Sequence, residues 1–288
     1  MSQMQERLEA LIDENSPRLA EILNHTWQNQ AAAITYKELR EAILSGELSI
    51  NYFLQWQQDY SRFVATAYEP IMQAMVKEAA NDIMRRYGMA VRDAEVQQIA
   101  SFITNRGGQL IREVSANQYT AINTLVRQAT LTETMSIDQL ARAIRPTVGL
   151  TTRQTATTFR YYEKLVEQGM NPAKALERQA TYAARMHRRR AGTIAQTEIA
   201  FAYNHGMDAT VRQYAAEGLL PTMVKRWLTA RNERVCRICG SIHGEIIPMD
   251  DVFSIGKDLP PAHPNCQCKV QYLEEQYLTP EQRRHYRQ

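Results

Sequence analysis

All four cysteines of this 288-residue chain fall in one short window near its C-terminal end, "VCRICGSIHGEIIPMDDVFSIGKDLPPAHPNCQC", Val235 to Cys268. They form two close pairs. Cys236 and Cys239 make a CxxC, a spacing that lets two thiolates reach one tetrahedral ion from a single tight turn. Farther along, His263-Pro264-Asn265-Cys266-Gln267-Cys268 offers a histidine and two cysteines in one more turn, with prolines fixing the approach. Two ligands from each turn would close a tetrahedral site. A closed site leaves no position for water or substrate, so its role is structural. Five donors, Cys236, Cys239, His263, Cys266 and Cys268, compete for four positions, and spacing does not choose among them. His243, in "GSIHGE", is a weaker sixth.

Other uses of the thiols fit less well. The N-terminal stretch "MSQMQERLEALIDENSPRL" is polar and periodic, unlike a secretory signal. No run approaches the roughly 18 apolar residues of a membrane span. A reducing compartment is therefore expected, where paired disulfides are rare. A redox CxxC needs no second cluster and belongs with a βαβ pattern, which is missing here. The window also lies in a loop-rich stretch where "MVKRWLTA" (Met223 to Ala230), "EIIPM" (Glu245 to Met249) and "CKVQYL" (Cys268 to Leu273) read as short strands. A module of about fifty residues is too small to hold a core easily. Structural Zn2+ answers that need, because metal-binding free energy then serves as folding free energy.

Residues 1 to about 220 read as helix after helix. Ser16-Pro17 predicts a helix start, with proline at the first helical position. Thr35 with Glu38, and Ser136 with Gln139, spell capping boxes, and Gly46 is a natural C-terminal stop. Asn171-Pro172 and Thr279-Pro280 repeat the cap-plus-proline arrangement. Ile111, Val114, Ile122, Leu125 and Val126 keep helical spacing. Ala195, Ile199, Ala202, Gly206 and Ala209 share one helix face and are mostly small, which predicts close approach of a second helix. Tyr52, Trp56 and Tyr60 recur every four residues, and such an aromatic stripe belongs in a core or an interface.

Two blocks resemble a known family. "RWLTARNERVCRICGSIHGE" followed by "LPPAHPNCQCKV" resembles the C-terminal signature of phage head-morphogenesis proteins, the MuF-like minor head protein family. "RRRAGTIAQTEIAFAYNHGM" (Arg188 to Met207) and "SIDQLARAIRPTVGLTTRQ" (Ser136 to Gln154) resemble its upstream helices. The likeness covers about residues 100 to 275. Gln196 stands where the family often has arginine before Thr197-Glu198, and Gln267 where it often has arginine between the last two cysteines. The resemblance implies a low-copy virion component inside the capsid at the portal vertex, present in the host cytoplasm during assembly. Its implied partners are the portal protein and the major capsid or scaffolding protein, with a role in packaging and genome ejection and no membrane contact.

Composition adds bounds. With 44% hydrophobic and 23% charged residues, the chain has an ordinary soluble make-up. A formal charge of +3 is too small to announce nucleic-acid binding. Local clustering is the exception: Arg185, Arg188, Arg189 and Arg190 lie close together and suit non-specific phosphate contact, against the plainer readings of a solvated face or an acidic protein partner. No phosphate loop, GxSxG elbow or HExxH appears, so no catalytic residue is named. The enzymatic alternative is an HNH-like metal-dependent nuclease, short of ligands for a catalytic ion. The expectation is a mostly α protein: an elongated helical body with a small C-terminal zinc-stapled α+β module. Its segments are an N-terminal helical region (1–100), a helical core (101–220), the module (221–275) and a C-terminal helix or tail (276–288).

Overall fold

A computed structural model describes residues 3–92, 96, 97, 99, 101, 114–126, 135–229 and 235–286. The chain is mostly helical. In order come α1 (Gln3–Ala33), α2 (Tyr36–Ser45), α3 (Ile50–Phe63), α4 (Glu69–Met84), α5 (Ile137–Ile144), α6 (Thr152–Glu167) and α7 (Pro172–Ala216). Then follow β1 (Met223–Leu228), α8 (Arg237–Ser241), β2 (Ile246–Pro248), β3 (Lys269–Glu274) and α9 (Pro280–Arg284). Among the described residues, no helix is long and apolar enough to cross a membrane.

Local cap chemistry sets most helix ends. Thr35 and Glu38 form a reciprocal capping box on α2, and Gly46, at φ +79, ends that helix. Ser136 with Gln139 starts α5, and Thr279 with Gln282 starts α9 around Pro280. Asn171 Oδ1 accepts from the Ala173 N–H at the head of α7. Ser16-Pro17, in contrast, starts nothing, since Pro17 lies inside α1. Leu8, Leu11 and Ile12 before it, and Leu19, Leu23 and Trp27 after it, are all buried. Burying each such side chain is worth about 1.5–3 kcal/mol, against about 3 kcal/mol for one interior proline, so the stripe carries the helix through.

Contacts divide the chain into two units. One contains Met1–Arg18, Tyr68–Asn105 and Thr193–Gln288; the other contains Leu19–Ala67 and Arg106–Gly192. In the first, the C-terminal half of α7 packs on α4. Ala195, Ile199, Ala202 and Gly206 are buried, and a Cβ on Gly206 would stand 3.1 Å from Val76 Cα. The small stripe therefore does let two helix backbones approach closely. The Tyr203 hydroxyl donates to Asp82 (2.6 Å), and the Tyr68 hydroxyl to Glu198 (2.7 Å).

The same unit holds an antiparallel sheet in the order β2-β1-β3, with Val224 opposite Leu273 and Trp227 opposite Val270. Each strand falls within a stretch read as a strand from the sequence, although Ala230 lies outside the described residues. The open edge of β3 is closed by one side chain of α7. Asn204 Nδ2 donates to the Cys268 carbonyl (3.2 Å), and Asn204 Oδ1 accepts from Val270 N–H (2.8 Å). Covering an edge in this way removes a template for unwanted strand pairing.

In the second unit the core is partly polar. Trp27 Nε1 donates to the Tyr60 hydroxyl (2.6 Å), which donates to Gln118 Oε1 (2.7 Å), while Gln118 Nε2 donates to Gln30 Oε1 (3.2 Å). Trp56 and Tyr60 of the aromatic stripe are buried and Tyr52 half-buried. Gly149, at φ +95, lets the chain lie flat on Trp27, where any Cβ would collide with the indole. Val114, Ile122, Leu125 and Val126 are buried within helical residues 114–126, whereas Ile111 lies outside the described residues.

Candidate metal centre

Cys236 has extended backbone and caps the one-turn helix α8, its sulfur accepting the Cys239 N–H (3.3 Å). That turn points both CxxC sulfurs the same way. The second turn is closed by a bond from Cys266 N–H to the His263 carbonyl (3.1 Å). Asn265, at φ +59, reverses the chain between them. Asparagine is one of the few residues that takes left-handed backbone at modest cost. Its N–H donates to Thr197 Oγ1 (3.0 Å) and its Nδ2 to Thr193 Oγ1 (3.2 Å), clipping this turn onto α7.

The two turns bring the five expected donors together. His263 Nε2 stands 3.1 Å from Cys236 Sγ and 3.4 Å from Cys239 Sγ, and Cys239 Sγ stands 3.8 Å from Cys266 Sγ. Two groups each have ligand atoms within 4.8 Å of one another: Cys236, Cys239 and His263; and Cys239, Cys266 and Cys268. Cys239 is common to both. Around a tetrahedral zinc with Zn–S of about 2.3 Å, sulfurs lie about 3.8 Å apart and a sulfur–nitrogen edge is about 3.6 Å. The cluster has that scale. All four cysteines are free thiols, so the disulfide reading has no support here. His263 Nδ1 lies 2.9 Å from the Pro264 carbonyl. That contact selects the tautomer that bares Nε2 toward the sulfurs, the arrangement seen in metal-binding histidines.

Electrostatics point the same way. Burial pushes the Cys239 thiol up to about 12, and the charge of Cys266 adds to it. Cys268 is pushed up by its hydrogen bond to Cys266 and by burial. Cys266 is drawn down to about 5, first by the Cys268 hydrogen bond, against burial. Burial pushes Cys236 up as well, but contacts with Cys239 and His263 outweigh it and leave the thiol lowered. Crowded thiols cannot all ionise side by side, and a divalent cation removes that penalty. Sulfur-rich donors with one imidazole suit a soft or borderline ion. The residues fit such an ion.

Apolar packing closes the back of the cluster. Trp227, Ile242, Ile247 and Phe253 are buried with Cys239, Cys266 and Cys268, and the Trp227 and Phe253 rings meet edge-on at 5.0 Å. His243 belongs to neither metal-capable group. Its Nδ1 accepts the Thr229 N–H (3.2 Å) and lies 2.8 Å from the Thr229 hydroxyl. Of the arginine run, Arg185, Arg188 and Arg189 are exposed. Arg190 turns away from them, donating to the Gly149 carbonyl with its guanidinium 5.2 Å from the Trp27 ring.

Sequence reasoning did not find Asn204, Thr193 and Thr197. Each is an ordinary helical polar residue until its distant partner arrives. Asn265 carried the one local signal, its tolerance of left-handed backbone.

A family model described as phage Mu protein F like protein matches residues 120–271, just over half of the chain, including every donor above and all of α7. No curated protein and no solved structure matches the chain.

Proposed function

The chain belongs to the phage Mu protein F like family, and from that premise we propose that it is a minor head protein docked at the portal vertex and packaged inside the capsid. Membership in a phage head family makes a virion structural protein the coarse statement; portal docking, help in head assembly and a part in genome ejection are the finer reading. The observation that carries it is the position of the thiol–histidine cluster within the matched segment, clipped by Asn265 onto α7. That arrangement ties the cluster's second turn to a long helix, which suits a structural role.

In this reading Zn2+ is held by Cys236, Cys239 and His263, with the fourth position taken from the Cys266–Cys268 pair that groups with Cys239. The first three form one face of a tetrahedron, and Cys266 lies one tetrahedral edge from Cys239. The ion supplies cross-linking and charge neutralisation, not chemistry on a substrate. Cys236→Ser should lose the ion, and whichever of Cys266→Ser and Cys268→Ser also loses it identifies the fourth ligand.

Two experiments test the function. Co-expression with a portal ring should yield a complex, and the protein should be found in purified particles by mass spectrometry. Its absence from particles would overturn the reading. Plasmid DNA incubated with the protein and magnesium or manganese should stay intact; cutting that His243→Ala abolishes would install the HNH-like nuclease in its place.

A further inference from the structure

We propose that the unit formed by Leu19–Ala67 and Arg106–Gly192 carries both halves of a contact between copies of this chain: an acid-rimmed cleft at α2 and α3, and the exposed arginine run of α7 that enters it from a second copy. Such a contact involves neither the metal nor the portal, so it and the head-protein reading can each fail without the other.

The cleft comes first. About 660 Å³ of open space lies against α2 and α3. Ala42, Leu48 and Tyr52 give it an apolar side, Glu38, Glu41 and Glu47 give it acid, and among the described residues no lysine or arginine lines it. Glu38 is occupied by the helix cap, accepting from the Thr35 N–H (2.8 Å). Glu41 meets Lys37 at 4.0 Å, with both side chains largely in water, a pairing worth little. The Tyr119 hydroxyl donates to Glu47 (3.5 Å), and among the described residues no lysine or arginine pairs with that carboxylate.

The helices that line the cleft also expose apolar side chains. Leu44 is 70% exposed, Ile50 55%, Leu54 50% and Tyr36 46%, all on α2 and α3. Single exposed apolar side chains are ordinary, but Leu44, Ile50 and Leu54 on the two helices that line the cleft suit a partner, while Tyr36 lies under Arg142 and Arg145.

Charge selects the occupant. An acid rim with no internal cation calls for a basic segment, and the same unit displays one. Arg185, Arg188 and Arg189 are exposed, and among the described residues no carboxylate pairs with Arg188 or Arg189. Arg185 lies 5.4 Å over Tyr182, whose ring stands 4.7 Å from that of Tyr161. This aromatic pair and the arginine stems offer apolar surface to match Leu44, Ile50 and Leu54. Among the described residues no ion pair joins the run to Glu41 or Glu47 within one chain, so the two are left to meet between copies. A contact between two different patches is heterologous, and copies add until a ring closes.

Sedimentation velocity of the full chain tests this. Wild type should associate with rising concentration and dissociate as salt screens the contact. Glu41→Lys with Glu47→Lys, and separately Arg188→Glu with Arg189→Glu, should each weaken association on the order of tenfold or more. Mixing the two variants should restore it, which neither misfolding nor a general charge effect would do. A chain that stays monomeric throughout, association that neither reversal alters, or a mixture that fails to recover would each overturn the proposal. So would a labelled duplex DNA that loses binding to Arg188→Glu/Arg189→Glu while self-association is untouched, since the run would then serve phosphate.

Discussion

Asn265 does two jobs within one residue: it supplies the left-handed backbone between His263 and Cys266, and it hangs that turn on Thr193 and Thr197. Asn265→Ala loses the amide bond to Thr193 and puts alanine where φ is positive, so it should destabilise by about 1–2 kcal/mol in urea titration of the metal-loaded protein. Asn265→Gly should cost less, because glycine relieves the backbone and keeps the N–H to Thr197. Alanine costing no more than glycine would mean that the left-handed backbone at this position contributes little, since both variants lack the bond to Thr193. His187 has a different sensitivity. It is buried beside Trp27, with no partner for Nε2 among the described residues. Burial, then the charge of Arg190, push it down to about 4, against a hydrogen bond to Val148. The folded chain thus holds the neutral ring. Stability from this group is complete above about pH 6.5 and falls as pH drops toward 4, by about 2 kcal/mol at pH 5. His187→Phe should flatten that part of a pH series of denaturation midpoints.

Between elements, Asn204 joins α7 to the outer edge of β3. Asn204→Ala leaves the buried Cys268 carbonyl and Val270 N–H without their partner, at about 2–3 kcal/mol. Hydrogen exchange at Val270 should quicken more than at Val224, which stays paired inside the sheet. At this scale the sequence was legible wherever the signal was local. The capping boxes of α2 and α5, the proline start of α7 and the three strands all rest on neighbours a few residues apart. Pro17 misled because its local message, a helix start, lost to burial on both sides of it. The Ala195–Gly206 stripe announced a close helix pair, yet nothing in it named Val76 as the backbone it meets.

For the whole molecule, both units draw on segments far apart in the chain, and no local pattern reveals that grouping. The thiol window was legible because CxxC and HPNCxC each build half a site in one turn, so only their meeting had to come from the fold. The clip onto α7 was not, since it needs Thr193 and Thr197 to arrive from a distant helix. If metal is what holds the module, stripping it with a chelator should raise exchange across Met223–Leu228 and Lys269–Glu274. Thr152–Glu167, which lies in the other unit, should keep its protection. Equal loss in both would mean the ion supports more than the module. The most direct test of the central claim is X-ray absorption at the zinc edge on purified, untagged chain. One zinc per chain, with three sulfurs at about 2.3 Å and one nitrogen at about 2.0 Å, is the result this account predicts. A folded chain with no metal, or an ion surrounded mainly by oxygen, would contradict it.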